Sequence, residues 1–171
     1  MKNINEINFY TCLKKINADN QLSVMKEKLF KKGESLLQLN HIATNLYYID
    51  YGLVKMSSDI NDKQFIMQFF SENEMVTVLN SFNNQAPSKY RLTALEDTSL
   101  KYISYQDLNQ LFLNYPNMET QYRHLQAAAI NKMMQRINTM LIKKPYDRYH
   151  TFIKDYRELV QRISLGDISA Y

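Results

Sequence analysis

Carboxylate side chains are the residues of this sequence that come closest to a catalytic arrangement. Glu72 and Glu74 lie two residues apart, so a strand-like segment would place both on one face. Such a pair can share general acid and base work, yet acidic pairs are also common on ordinary protein surfaces. The sequence contains no glycine-rich phosphate loop, no Cys-x-x-Cys, no His-x-x-x-His and no Gly-x-Ser-x-Gly motif. We therefore predict that the protein is not an enzyme.

Cysteine, histidine and methionine could hold a cofactor, and their number and distribution argue against one. The single cysteine, Cys12, excludes a disulfide framework and, within one chain, an iron–sulfur cluster that needs about four thiolates. The three histidines, His41, His124 and His150, are isolated, which does not favour a haem ligand or a metal cluster. The nine methionines are better explained as core and interface filler. We predict no metal, no iron–sulfur cluster and no haem.

Length and composition are those of one packed domain with a helical extension. The chain has 171 residues, 45% of them hydrophobic and 22% charged, which is enough apolar material for a core and excludes wholesale disorder. The net charge of +4 permits binding to nucleic acid without establishing it. No apolar run approaches the roughly 20 residues that span a bilayer, and the first residues lack the apolar region of a signal peptide. We expect a cytoplasmic protein without a membrane partner.

Apolar residues recur at helical spacing from Ile7 to Lys32. A polar turn at Ala18–Asn20 divides this segment, so we predict two short helices. Lysines collect near the C-terminal end of the second helix, where positive charge is stabilising. These lysines are Lys26, Lys28, Lys31 and Lys32.

Short segments rich in strand formers follow from Gly33 onward, separated by turn residues. Because they come in series without helices between most of them, they indicate an antiparallel barrel or sandwich. An amphipathic stretch, Met75–Phe82, interrupts the series as a predicted short helix, and a polar turn is predicted at Asp59–Asp62. The predicted strands are Ser35–Leu39, Leu46–Asp50, Leu53–Met56, Lys63–Phe70, Tyr90–Ala94 and Ser99–Ser104.

The C-terminal part of the sequence has a helical pattern throughout. A short helix, Gln106–Asn114, is predicted to end before Pro116. A long helix is predicted from Met118 to Ile142 because no Gly or Pro interrupts it. Pro145 suits the first turn of the next predicted helix, Tyr146–Ile163.

The long helix carries two apolar stripes, and a helix that is apolar on two faces needs two partners. One stripe contains Tyr122, Leu125, Ala129, Met133 and Met140, and we expect it to face the chain's own sheets. The other has heptad spacing, and its most economical partner is the same helix of a second subunit. The alternative is a helix buried on both sides within one chain. The predicted homodimer interface contains Ala127, Ile130, Met134, Ile137 and Leu141.

Four segments resemble, in order and spacing, a family of bacterial transcription regulators. Phe30–Leu37 resembles the opening strand of a cyclic-nucleotide-binding-like jelly roll, and Leu46–Lys55 resembles its next hairpin. Phe69–Glu74 occupies the place of a Gly-Glu pocket motif, and Pro87–Asp97 resembles the strand that follows. Together these segments resemble the Crp/Fnr family in its Bacteroidetes-type form.

The resemblance implies an α+β fold class: an antiparallel β jelly roll with flanking helices, a long dimerisation helix and a partial C-terminal helix-turn-helix domain. Residues 1–117 would form the sensor domain, 118–142 the dimerisation helix, and 143–171 the beginning of a winged helix-turn-helix domain. In this family an effector at the jelly roll shifts the barrel against the dimerisation helix. The hinge, Ile142–Pro145 here, then changes the angle of the DNA-binding heads.

The resemblance also implies an effector pocket, in which a Gly, a Glu and an Arg hold a cyclic nucleotide. Glu74 matches the Glu, and Asn73 replaces the Gly, a mild departure because Asn tolerates left-handed backbone. Ser88 replaces the Arg, so a phosphate would lose its bidentate cation. We therefore predict a regulator that does not respond to cAMP, with the pocket either filled by apolar side chains or holding an unidentified small molecule. The candidate pocket residues are Asn73, Glu74, Met75, Ser88, Lys89, Tyr90 and Arg91.

DNA is the partner that the resemblance implies. Asp167–Tyr171, capped by Ser164 or Asp167, resembles the first residues of the supporting helix, and we expect the native chain to continue into a recognition helix. Sequence readout needs such a helix in the major groove. Lys143, Lys144 and Arg148 could contact DNA phosphates, which position rather than specify, or could form a solvated face. The alternative function is a stand-alone dimeric jelly roll that binds a ligand or another protein.

Overall fold

Two antiparallel sheets form the body of the protein, in a computed structural model that describes residues 9–16, 25–142 and 144–171. The strands of this part of the chain are β1 (Lys26–Phe30), β2 (Ser35–Leu37), β3 (Asn45–Tyr51), β4 (Val54–Ile60), β5 (Lys63–Phe70), β6 (Met75–Val76), β7 (Arg91–Ala94) and β8 (Thr98–Ser104). One sheet has the order β1-β8-β3-β6 and the other β2-β7-β4-β5. This double-sheet jelly roll confirms the fold class predicted from the sequence.

Six helices flank the sheets within the described residues, and the longest confirms the predicted long helix. They are α1 (9–16), α2 (Leu79–Asn84), α3 (Tyr105–Asn114), α4 (Pro116–Ile142), α5 (Pro145–Asp155) and α6 (Leu165–Ala170). The hydroxyl of Ser104 accepts a hydrogen bond from the backbone N–H of Asp107 at the start of α3. Ser164, one of the two caps predicted for the last helix, does the same for Asp167. Pro145 occupies the first turn of α5, as predicted.

The main core lies between the two sheets. Its best-buried strand residues come from β3, β7 and β8, and along β7 burial alternates as the period of two of a half-buried strand requires. The central members are Leu46, Ile49, Leu92, Leu100 and Ile103, each at most 1% exposed. Helix α1 adds Phe9 and Leu13 to the same cluster.

The segment Lys26–Phe30 is a strand, and the helix predicted there is wrong. β1 pairs antiparallel with β8, from Lys26 opposite Tyr102 to Phe30 opposite Thr98. Only Phe30 of this strand is buried, so its sequence shows no alternation that would distinguish it from a helix end. Lys26 and Lys28 lie on this exposed sheet edge, where positive charge discourages pairing with other chains. Residues 17–24, which include the predicted turn Ala18–Asn20, lie outside the described residues.

Three other predicted boundaries are wrong in part. Met75–Val76 is strand β6, and the predicted helix begins only at Leu79. The turn between β4 and β5 is confined to Asn61 and Asp62, whose φ angles of 50° and 61° suit a two-residue hairpin. The predicted helix Tyr146–Ile163 ends at Asp155 because the chain then turns to bury Leu159 and Ile163.

A second apolar cluster joins residues 145–171, called here the C-terminal segment, to the outer side of the sheet that contains β4 and β5. Phe69 is fully buried there, and its ring lies 5.9 Å from that of Phe152 and 5.3 Å from that of Tyr171. Because neighbouring residues of a strand face opposite sides, Phe70 serves the main core while Phe69 serves this cluster. The cluster's buried residues are Leu53, Ile66, Phe69, Phe152, Leu159 and Ile163.

Candidate functional site

The turn between β5 and β6 has the backbone geometry expected at the place of a pocket glycine. Asn73 has φ 68°, the left-handed conformation that Asn tolerates better than most residues. Its N–H donates to the carbonyl of Ile49 at 2.8 Å, and its side-chain oxygen accepts from the Tyr48 hydroxyl at 3.0 Å. These bonds fix the turn against β3.

Glu74 connects this turn to helix α4. One carboxylate oxygen accepts from the backbone N–H of Ser71 at 2.7 Å, and the other pairs with Lys132 Nζ at 2.6 Å. Lys132 also lies over the Phe70 ring, 5.7 Å from its centroid. Both oxygens of Glu74 are therefore engaged within the chain. The sequence analysis did not identify Lys132, because the partner of Glu74 lies 58 residues farther along the chain and nothing in its local sequence indicates the contact.

None of the other candidate pocket residues places a positively charged side chain beside Glu74. Ser88 is 2% exposed, and its hydroxyl donates to the Tyr90 carbonyl at 2.7 Å and accepts from the Tyr90 N–H at 3.0 Å. Arg91 of β7 pairs with Asp59 of the neighbouring strand β4, while Lys89 is exposed. Met75 is buried on β6, where it contributes to the main core. Neither Lys89 nor Arg91 forms an ion pair with Glu74. The positive charge that the family has at the position of Ser88 is therefore not supplied beside Glu74 by either residue.

Glu72 connects the same turn to the C-terminal segment. Both of its oxygens accept from Arg162, at 2.7 and 3.1 Å, and the same guanidinium reaches Glu96 at 2.5 Å. The backbone N–H of Gly52 adds a hydrogen bond at 3.0 Å. Burial opposes ionisation of Glu72, but the bonds from Arg162 and from backbone N–H groups outweigh it and hold the pKa of Glu72 below its ordinary value. The same two carboxylates raise the pKa of Arg162.

Another ion pair joins the last helix to the sheet. Lys55 of β4 lies 2.5 Å from Asp167 of α6, and both side chains are largely shielded from solvent. Together with Arg162 and the ring of Phe69, it holds residues 156–171 against β4 and β5. The structure therefore brings the turn 71–74 into contact with α4 through Glu74 and with the C-terminal segment through Glu72.

Helix α4 divides its two apolar stripes between burial and exposure. Near its N-terminus Tyr122 and Leu125 are at most 6% exposed, which places the first stripe against the jelly roll as expected. Farther along the helix, Met133 and Met140 of that stripe are exposed. Most of the predicted dimer seam is open to solvent in the single chain. Its exposed large members are Ile130, Met134, Ile137 and Leu141.

The candidate DNA-contacting residues lie at the start of α5. Lys144 is exposed at the N-cap position, and Arg148 is partly buried one turn later. Lys143 lies outside the described residues. In the described part of the chain no three His, Cys, Asp or Glu side chains group closely enough to hold a metal ion. No helix of that part is long and apolar enough to cross a membrane.

The family model for the cyclic nucleotide-binding domain matches residues 27–115, from β1 through the end of α3. This match covers more than half of the chain, and the matched region contains both sheets and the turn 71–74. The chain belongs to the cyclic nucleotide-binding domain family. No curated protein sequence matches the chain significantly.

Solved regulators of the Crp/Fnr family share this fold, and the structural similarity extends beyond residues 27–115. FixK2 from Bradyrhizobium japonicum aligns with a TM-score of 0.76 at 17% identity, over 86% of this chain and 77% of its own. A putative Crp/Fnr-family regulator from Eubacterium rectale gives 0.75 at 16% identity, over 94% and 76%. The c-di-GMP responsive regulator CLP from Xanthomonas campestris gives 0.68 at 16%, over 88% and 76%. The described fold is that of Crp/Fnr-type regulators.

Proposed function

We propose that the protein is a dimeric transcription regulator of the Crp/Fnr type, in which the jelly roll senses an effector and the C-terminal segment belongs to a DNA-binding domain. The observation that carries this proposal is the order of parts. A cyclic nucleotide-binding domain at residues 27–115 leads directly into α4, a helix of 27 residues with an exposed apolar seam. Such a helix needs a partner that the described residues do not supply.

Dimerisation through the seam is the first testable consequence. Ile137 is 40% exposed on α4, and an apolar heptad position of this kind gains most from burial against a second helix. Ile137→Glu should therefore turn a dimer into a monomer in sedimentation equilibrium at micromolar concentration. Asn138→Glu, a charge at the next and also exposed position, is the matched control and should remain dimeric. A monomeric wild-type protein under the same conditions would count against the proposal.

The effector differs from cAMP in this proposal. Both oxygens of Glu74 are engaged by Ser71 and Lys132, and the hydroxyl of Ser88 is used within its own turn. A cyclic phosphate would therefore meet no arginine at Ser88 and no free carboxylate at Glu74. Isothermal titration of the protein with cAMP should show no binding in the micromolar range. Micromolar binding that is lost in Glu74→Gln would show that the pocket rearranges to take the nucleotide.

Signal transmission would follow the contacts of the turn 71–74. An effector that binds one arrangement of this turn better than the other shifts the equilibrium between them. Glu74 would pass the change to α4 through Lys132, and Glu72 would pass it to the C-terminal segment through Arg162. The two neighbouring glutamates would thus change dimer geometry and domain position together.

DNA binding is tested with protein expressed from its complete reading frame. Fluorescence anisotropy with the promoter region of its own gene should show binding that weakens as salt rises, because phosphate contacts release counterions. Lys144→Gln should weaken binding to all sequences and lower the salt slope by about one. The exposed Lys63, at the far end of β5, provides the control substitution Lys63→Gln. A stable dimer that binds no DNA would favour the stand-alone ligand-binding module instead.

A further inference from the structure

Arg136 is a partly buried arginine of α4, part of whose hydrogen-bonding capacity is unused. Its Nε and Nη2 atoms are shielded from solvent and have no hydrogen-bond partner among the described residues. Its guanidinium carbon lies 3.4 Å from the centroid of the Tyr171 ring, so one face of the group is stacked. Stacking satisfies the face of a guanidinium but leaves the N–H donors at its edge unpaired.

No carboxylate of the described chain forms an ion pair with this guanidinium. The titratable groups that act on its pKa are Tyr171, Tyr156 and a second arginine, Arg148, whose positive charge lowers it. Burial raises the pKa of Tyr156 and of Tyr171, so both remain neutral phenols at neutral pH. Burial also lowers the pKa of Arg136, yet an arginine keeps its proton in proteins. A shielded positive charge without a counter-charge is costly, and an anion would remove that cost.

The two unpaired atoms lie on one edge of the guanidinium. Nε–H and Nη2–H point in parallel, with the spacing that matches two oxygens of one carboxylate or phosphate. The hydroxyls of Tyr156 and Tyr171, the second of which belongs to the stacked ring, lie 3.3 Å apart and are further hydrogen-bonding groups of this region. Lys132, one turn earlier on α4, already has Glu74 as its partner. The unmet demand for an anion is therefore at Arg136.

We propose that Arg136 is the anion-recognition residue of this protein, binding a phosphate group of a small ligand between α4 and the C-terminal segment. The assignment rests on the proposed function in one respect: it takes the ligand bound at Arg136 to be the effector. It places the anion site at Arg136 on α4. The position at which the family has its phosphate-binding arginine is occupied here by the uncharged Ser88. A phosphate there contacts the helix directly and lies against Tyr171, so its binding stabilises the docked position of residues 156–171.

The test is thermal unfolding of the full chain in the presence of inorganic phosphate, with sodium chloride at equal ionic strength as the reference. Phosphate at about a hundred times its Kd should raise the wild-type midpoint by about 5 to 10 °C. Arg136→Gln removes the paired donors, and Arg136→Lys keeps the charge while removing the fork; both should lose most of this shift. Arg123→Gln removes an exposed arginine of the same helix and should keep it. Adenosine monophosphate, tested beside phosphate, shows whether a nucleotide carries the group.

The outcomes separate this site from the proposed function. A shift that wild type and Arg123→Gln show and both Arg136 variants lack supports the site. A larger shift with adenosine monophosphate than with phosphate would show that a nucleotide carries the phosphate group. An equal shift in all four proteins, or no shift in wild type with either compound, overturns it. Sedimentation of the same samples reports the dimer independently. A dimeric wild type without a phosphate shift refutes the anion site alone, whereas a monomeric wild type refutes the proposed dimeric regulator.

Discussion

Replacing Arg162 by methionine removes the cation that holds two glutamates and the C-terminal segment together. The substitution keeps much of the apolar side-chain length but leaves Glu72 and Glu96 facing each other without a counter-charge. Arg162 makes four hydrogen bonds to these carboxylates, between 2.5 and 3.3 Å. The three side chains are 27 to 28% exposed, so solvent weakens the interaction without removing it.

The expected loss is about 2 kcal/mol of unfolding free energy at neutral pH. Bonds between charged groups contribute about 1.5 to 3 kcal/mol when one partner is removed, and partial exposure moves the value toward the lower part of that range. For a protein of this size, the loss lowers Tm by about 4 to 8 °C. Arg157→Met, which removes an exposed arginine from the same segment, should leave Tm nearly unchanged.

The loss should depend on pH in a defined direction. The folded-state pKa of Glu72 is below its unfolded value, which is about 4.3. Stability from this group is therefore complete above the unfolded pKa and disappears as pH falls through the folded pKa. Thermal unfolding at fixed protein concentration should show a large difference between wild type and Arg162→Met at pH 7 and a smaller one near pH 3. An unchanged difference, or an equal loss in Arg157→Met, would refute the reasoning.

Three further substitutions test the packing and turns that position the site. Gly52→Ala should destabilise by at least about 2 kcal/mol in chemical denaturation, because φ is +112° and an added Cβ would lie 2.4 to 2.7 Å from atoms of Thr98. Phe69→Ala should cost about 3 to 5 kcal/mol in thermal unfolding, since the ring is fully buried; a loss below 1 kcal/mol would contradict the described packing. Ser104→Ala should cost about 1 kcal/mol through the lost cap to Asp107, and Ser104→Thr, which keeps the oxygen, should cost less.

The jelly roll could be predicted because features of the local sequence mark most of its strands. Strand-forming residues between turn residues mark β3 and β8, and the absence of Gly and Pro from residues 117–142 marks α4. β1 could not be predicted because its stability comes from pairing with β8, far along the chain, and only Phe30 turns inward. A helical period and an edge strand with one buried residue look alike in sequence.

The site divides in the same way. Asn73 and Glu74 could be placed from the motif they resemble, and the left-handed backbone of Asn73 agrees with that placement. Their cationic partners could not be, because Lys132 follows Glu74 by 58 residues and Arg162 follows Glu72 by 90. Nothing in the local sequence of a surface lysine or arginine says which carboxylate it will meet. Whether Lys89 and Arg91 take part in a pocket stays a prediction.

The separation of the two apolar clusters has a consequence for how the molecule opens. The cluster around Phe69 joins residues 152–171 to one sheet face without passing through the core between the sheets. Regions with separate cores form separate cooperative units in native-state hydrogen exchange. Amides of α5 and α6 should therefore exchange through a low-energy sub-global opening, while those of β3 and β8 wait for global unfolding. The C-terminal segment would then leave the sheet and return while the jelly roll stays folded.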